Sequence, residues 1–158
     1  MNNSKQSGKT RRMTGLAIFT AIIVVLQVLC TFIRFGPFSI TLALAPIIIG
    51  TAIYGKKAGA YLGFVFGLVV LVTGLLGWDG GTVMLLMGIN AVGCVLICLL
   101  KGAAAGFLAG VCYDAIAKKN DKAAVVVSGI VCPVVNPGLF ILGMLVFFFD
   151  TLSGWASG

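Results

Sequence analysis

The chain has 158 residues, of which 60% are hydrophobic and 9% charged, and its eleven Lys and Arg against four acids leave a net charge of +7. Soluble domains run near ~45–50% apolar and ~25% charged, so there are too few polar side chains here to cover a water-soluble globule. There is no His and no Glu, and the acids are Asp79, Asp114, Asp121 and Asp150, so Ser-His-Asp or Cys-His catalysis and His-ligated zinc or haem each lose a required residue.

With a mean hydropathy of +1.16, the basic excess reads as membrane topology rather than nucleic-acid binding. Residues 1–12 carry Lys5, Lys9, Arg11 and Arg12 and read as a short, disordered basic tail on the cytoplasmic side. The single transmembrane domain follows over 13–158. Met13–Ile33 is longer than a signal-peptide core and has no A-x-A cleavage site, so it reads as a retained first span. Phe38–Tyr54 is a second, slightly short span, and Ala58–Gly77 a third. Turn chemistry separates the runs at Arg34-Phe-Gly-Pro37, Gly55-Lys-Lys57, Gly77-Trp-Asp-Gly-Gly81 and Lys118-Lys-Asn-Asp-Lys122.

The fourth run, Thr82–Ala117, would measure about 54 Å as one helix against a hydrocarbon core of about 30 Å. Lysine placement decides how often it crosses. With one crossing, the amino-terminal tail, Lys56, Lys57, Lys118, Lys119 and Lys122 share one side, which gathers nine of the eleven basic residues there. Two crossings would send the Lys118–Lys122 cluster to the opposite side, against the positive-inside rule. The crossing part is therefore expected at about Ile97–Ala117, with Thr82–Leu96 folded back over the outer face. Ala123–Phe149 completes five spans of an all-α integral membrane protein. Ser153-Gly-Trp-Ala-Ser-Gly158 reads as the start of a loop, as if a further segment should follow.

Five cysteines (Cys30, Cys94, Cys98, Cys112, Cys132) lie in apolar runs without a C-x-x-C pair, and read as small buried hydrophobes rather than metal ligands. No metal or cofactor is implied. Gly50-Thr-Ala-Ile-Tyr-Gly55-Lys56-Lys57 mimics a phosphate-binding loop but lacks the Ser or Thr that would hold magnesium. Glycines recur every fourth residue at Gly55, Gly59, Gly63 and Gly67, and again at Gly102, Gly106 and Gly110. Each set forms a bare ridge on a helix, suited either to packing within the chain or to a partner.

Polar residues near spans are costly and mark function. Arg34, Thr41, Trp78, Asp79, Asn90 and Lys101 fall on the outer side, and Asn136 lies mid-span beside Pro137, where Asn136-Pro137-Gly138 is expected to interrupt the last span. Together they could hold a small polar molecule, with Arg34 and Lys101 favouring a carboxylate. The competing readings are interfacial anchoring for Arg34 and Trp78, snorkelling for Lys101, and satisfaction of backbone groups freed by Pro133 and Pro137 for Asn136. Asp114 falls near the inner lysines.

The order of these features resembles the substrate-binding S component of an energy-coupling factor (ECF) transporter. The residues that carry the likeness are the basic tail and Ala17-x-x-x-Ala21, then Ile49-Gly-Thr-Ala-Ile-Tyr-Gly55 and Gly59-Ala-Tyr-Leu-Gly63-Phe-Val-Phe-Gly67. Leu100-Lys-Gly-Ala-Ala-Ala-Gly106-Phe-Leu-Ala-Gly110 and Pro133-Val-Val-Asn-Pro-Gly-Leu-Phe140 complete it. The resemblance implies a six-helix bundle, of which five helices are present here. It also implies a non-enzymatic subunit of a bacterial inner membrane that captures a water-soluble vitamin outside, and whose partners are a transmembrane coupling protein and an ATPase pair. Ala17 and Ala21 would then meet the coupling protein, and outer loops near Arg34, Trp78, Asp79 and Asn90 would close over the ligand. A small membrane enzyme would need clustered acids or a His. An accessory or pore-forming membrane protein is the other alternative.

Overall fold

A computed structural model describes residues 2–33, 44–78 and 81–158. It is all-α. Helix α1 (Asn2–Phe32) is followed by α2 (Leu44–Tyr54), α3 (Lys56–Leu75), α4 (Thr82–Ala117), α5 (Asp121–Phe147) and α6 (Phe149–Ser157). Four of these, α1, α3, α4 and α5, are long and apolar enough to cross a membrane. The described part of α2 has 11 residues. The remainder of the expected second span, residues 38–43, lies outside the described residues.

Three boundaries differ from the sequence expectation. The basic tail is helical from Asn2 onward, because extending an existing apolar helix needs no new nucleus and Lys, Gln and Arg are good helix formers. Arg12 also ties it down, donating from Nη2 to the Tyr54 carbonyl at 3.1 Å. At the other end, residues 149–157 form α6 rather than a loop. Phe148 leaves helical geometry at φ −135°, ψ 37°, yet its carbonyl accepts from the Leu152 amide, and Asp150 in the first turn suits the positive end of the new helix. Finally, Asn136-Pro137-Gly138 does not interrupt the last span, since α5 runs unbroken through Pro133 and Pro137.

The two glycine ridges face each other. A Cβ on Gly63 would strike the Gly102 carbonyl, one on Gly106 the Gly59 carbonyl, and one on Gly67 the Cys98 carbonyl. Antiparallel α3 and α4 thus meet backbone to backbone, which assigns the ridges to packing within the chain. Gly55, at φ 91°, supplies the positive-φ hinge that lets α3 start one residue after α2 stops.

The same contacts orient the bundle. Arg12 meets Tyr54, Lys56 lies against Gly110, and a short turn through Asn120 joins α4 to α5. One end of the bundle therefore collects Arg11, Arg12, Lys56, Lys57, Lys118, Lys119 and Lys122, while Phe32 stacks near Trp78 at the opposite end with ring centroids 5.1 Å apart.

Two apolar clusters fill the interior. Ile23, Leu44, Ile47, Leu62, Phe66, Ala105, Ala109 and Cys132 draw α1 to α5 together. Val83, Leu86, Cys94, Ile97, Met144 and Phe148 form the second, to which Leu152 of α6 adds. None of the five cysteines is in a disulfide; four are buried and Cys112 is half-buried. Ser128 joins α5 to α4 by donating its hydroxyl to the Ala109 carbonyl at 3.0 Å.

Helix α4 is two helices end to end. Asn90 has φ −152° and ψ 93°, and its Oδ1 accepts from the Gly93 amide at 3.1 Å. That is N-cap geometry for a helix beginning at Ala91. The Cys94 thiol reaches the Val83 carbonyl at 3.8 Å, whereas a straight helix would set those residues about 16 Å apart. Residues 82–89 therefore double back against the helix that follows. The reversal sits at Asn90, so 91–96, expected within the folded-back segment, belong to the long helix. Asn90→Ala, which removes the cap acceptor, is expected to lower unfolding stability by about 1 kcal/mol, measured by thermal melting in detergent.

Candidate functional site

The residues proposed from sequence do not all converge. Arg34, Thr41 and Asp79 lie outside the described residues. Trp78 is 41% exposed, at the end opposite the basic cluster. Its ring lies against that of Phe32. The Asn90 side chain is exposed and its oxygen is committed to the cap.

Lys101 and Asn136 are brought near each other by the register of α4 against α5. Ser128 meets Ala109 and Gly143 meets Ile97, and between these levels the Lys101 Nζ sits 4.7 Å from the centroid of the Phe140 ring. This is a cation held over an aromatic face. It is not the snorkelling geometry, in which the amine would leave for the interface. Asn136 precedes Phe140 by four residues and so lies one turn away on the same stripe of α5. Its Oδ1 is buried with no hydrogen-bond partner among the described residues. That oxygen is an acceptor and so cannot serve the carbonyls freed by the prolines, which need a donor. An acceptor left open in apolar surroundings is costly unless something fills it.

Depth differs from expectation for Lys101. Its neighbour Gly102 packs on Gly63 and Gly67, close to the middle of α3. Lys101 thus stands roughly 12 Å in from the end of that helix opposite the basic cluster, counting eight residues from Gly67 to Leu75 at 1.5 Å each.

One residue was overlooked in the sequence. Gln27 is the only amide side chain between Met13 and Ile33, and its Oε1 is buried without a partner among the described residues. The signal was present, since an amide inside an apolar run is as conspicuous as a charge. Phe140, the ring beneath Lys101, had no sequence signal to separate it from the other ten phenylalanines.

Ala17 and Ala21 are both exposed on α1. No group of three or more potential metal ligands occurs among the described residues.

These features define a multi-pass, all-α membrane protein with a cation, an aromatic face and an open amide acceptor set between two helices. The chain belongs to the family described as "ECF transporter, substrate-specific component", whose profile matches residues 11–156. It is also 47% identical over 71 residues to the pantothenic acid transporter PanT of Lactococcus lactis subsp. cremoris (strain MG1363), a match that covers 43% of this chain and 36% of that relative. The chain thus matches about a third of the length of that relative. No solved structure matches significantly.

Proposed function

We propose that this chain captures pantothenate, or a closely similar carboxylate-bearing vitamin, and delivers it inward as the substrate-binding subunit of an ECF importer. The observation that carries the substrate is the pairing of the Lys101 amine over Phe140 with the open Asn136 acceptor one turn away. Pantothenate offers a carboxylate for the amine and hydroxyl or amide protons for the acceptor. The resemblance to the pantothenic acid transporter supports the same ligand.

The remaining assignments follow from that role. The basic end of the bundle faces the cytoplasm of a bacterial inner membrane, as positive charge in short loops favours. Substrate enters from the opposite end, past Trp78 and the doubled-back segment 82–89, with Arg34, Thr41 and Asp79 contributing to capture. The sequence holds no complete phosphate-binding loop, and in this reading an ATPase pair supplies the energy through a coupling protein. Exposed Ala17 and Ala21 give that protein a close approach to α1. The chain carries no catalytic role.

Mass spectrometry of small molecules released from the detergent-purified protein tests the substrate. Pantothenate is expected near one equivalent, or to bind to that level when offered. A protein that arrives empty and takes up none would refute the assignment, and a different vitamin at one equivalent would replace it.

A further inference from the structure

A second polar feature lies at the other end of the bundle and plays no part in capture from outside. An open groove of about 570 Å³ runs along α1, lined by Ser7, Thr10, Arg11, Thr14, Ile18 and Tyr54. We propose that it binds the phosphate headgroup of an anionic phospholipid.

The groove is built around Tyr54. A Cβ at Gly15 would collide with the Tyr54 hydroxyl, so only the bare backbone there lets the ring lie across α1. Phe19 meets the ring edge-on, with centroids 6.2 Å apart and planes at 80°. The Arg12 guanidinium clasps the Tyr54 carbonyl at 3.1 Å. One arginine is thus used to fix the wall of the groove. The next, Arg11, lines the groove itself, and among the described residues it has no hydrogen bond or ion pair.

Donor chemistry selects an anion. Thr10 and Thr14 donate their hydroxyl protons back to the Gln6 and Thr10 carbonyls, which leaves the Arg11 fork and the Ser7 and Tyr54 hydroxyls to donate. A guanidinium with flanking hydroxyls suits the oxygens of a phosphate. No acidic side chain lines the groove.

The layout along the helix points to a lipid rather than a free anion. Ser7, Arg11, Thr14 and Ile18 are spaced by four, three and four residues and form one stripe. The stripe passes from hydroxyl and guanidinium to an aliphatic side chain that is 56% exposed. That gradient matches headgroup to acyl chain. The groove also lies level with the basic end, beside Lys56 and Lys57, where an anionic leaflet would sit and each Arg or Lys adds attraction.

Native mass spectrometry of the full chain tests this, with dioleoyl phosphatidylglycerol, dioleoyl phosphatidylcholine, inorganic phosphate and a short polyglutamate peptide as probes. One phosphatidylglycerol is expected to be retained in preference to phosphatidylcholine. Its apparent affinity should fall about fivefold in Arg11→Gln and much less in Lys119→Gln. Arg11→Lys, which keeps the charge but loses the fork, should fall between. Equal losses at Arg11 and Lys119, or equal retention of the two lipids, would overturn the site. Displacement by an equal concentration of inorganic phosphate would make it a phosphate site, and displacement by the peptide an acidic-protein surface. Either result overturns the lipid assignment.

Discussion

Gly63→Val is expected to destabilise the protein by roughly 3 kcal/mol, enough to lower its melting temperature clearly in detergent. The added side chain would be driven into the Gly102 carbonyl, and the reciprocal contact, Gly102 against the Gly63 carbonyl, is as tight. Neither partner is a flexible side-chain tip that could swing aside. The helices must therefore separate, and separation also loosens Gly59 against Gly106 and Gly67 against Cys98. In a membrane, close packing of this kind carries helix association, because lipid tails compete equally for apolar surface. Gly129→Ala provides the contrast. Nothing lies within 4 Å of a Cβ there, so the change should be neutral or stabilise by up to about 1 kcal/mol through higher helix propensity. If Gly63→Val melts with the wild type, the ridges are not what holds α3 to α4.

The same ridges illustrate what can be read from one dimension. Glycines at every fourth position announce bare helix faces, but not which faces meet. That depends on register, which a three-dimensional pairing such as Gly63 with Gly102 reveals. The apolar runs located the long helices because hydropathy over about 20 residues is a collective signal. Boundaries are not collective. Asn90 was conspicuous as a polar residue in an apolar run, yet its role as a cap depends on a reversal that the Cys94 contact to Val83 exposes. Lys101 was conspicuous as a lone charge in an apolar run, but its depth could not be counted from a helix whose first turns double back. The polar stretch before Met13 reads as disordered only if its tie to Tyr54, 42 residues away, is invisible. Gln27 was legible and passed over, because attention to charges hides amides.

Lys101→Met is expected to weaken pantothenate binding by roughly 10- to 150-fold, the range for losing a hydrogen bond to a charged group. Isothermal titration of the purified protein would measure it. The prediction separates ligand binding from folding. Methionine keeps a side chain of similar length against the Phe140 ring, and the melting temperature of Lys101→Met, measured beside the titration, shows any loss of folding as such. A binding loss without a stability loss then belongs to the ligand. A second comparison identifies the ligand group. Pantothenol, in which a hydroxymethyl replaces the carboxylate, should bind the wild type more weakly than pantothenate does, but the two ligands should bind Lys101→Met about equally. That convergence is the mark of one amine facing one carboxylate. If the two ligands remain as far apart on Lys101→Met as on the wild type, the carboxylate is read by another cation, and Arg34 becomes the residue to test.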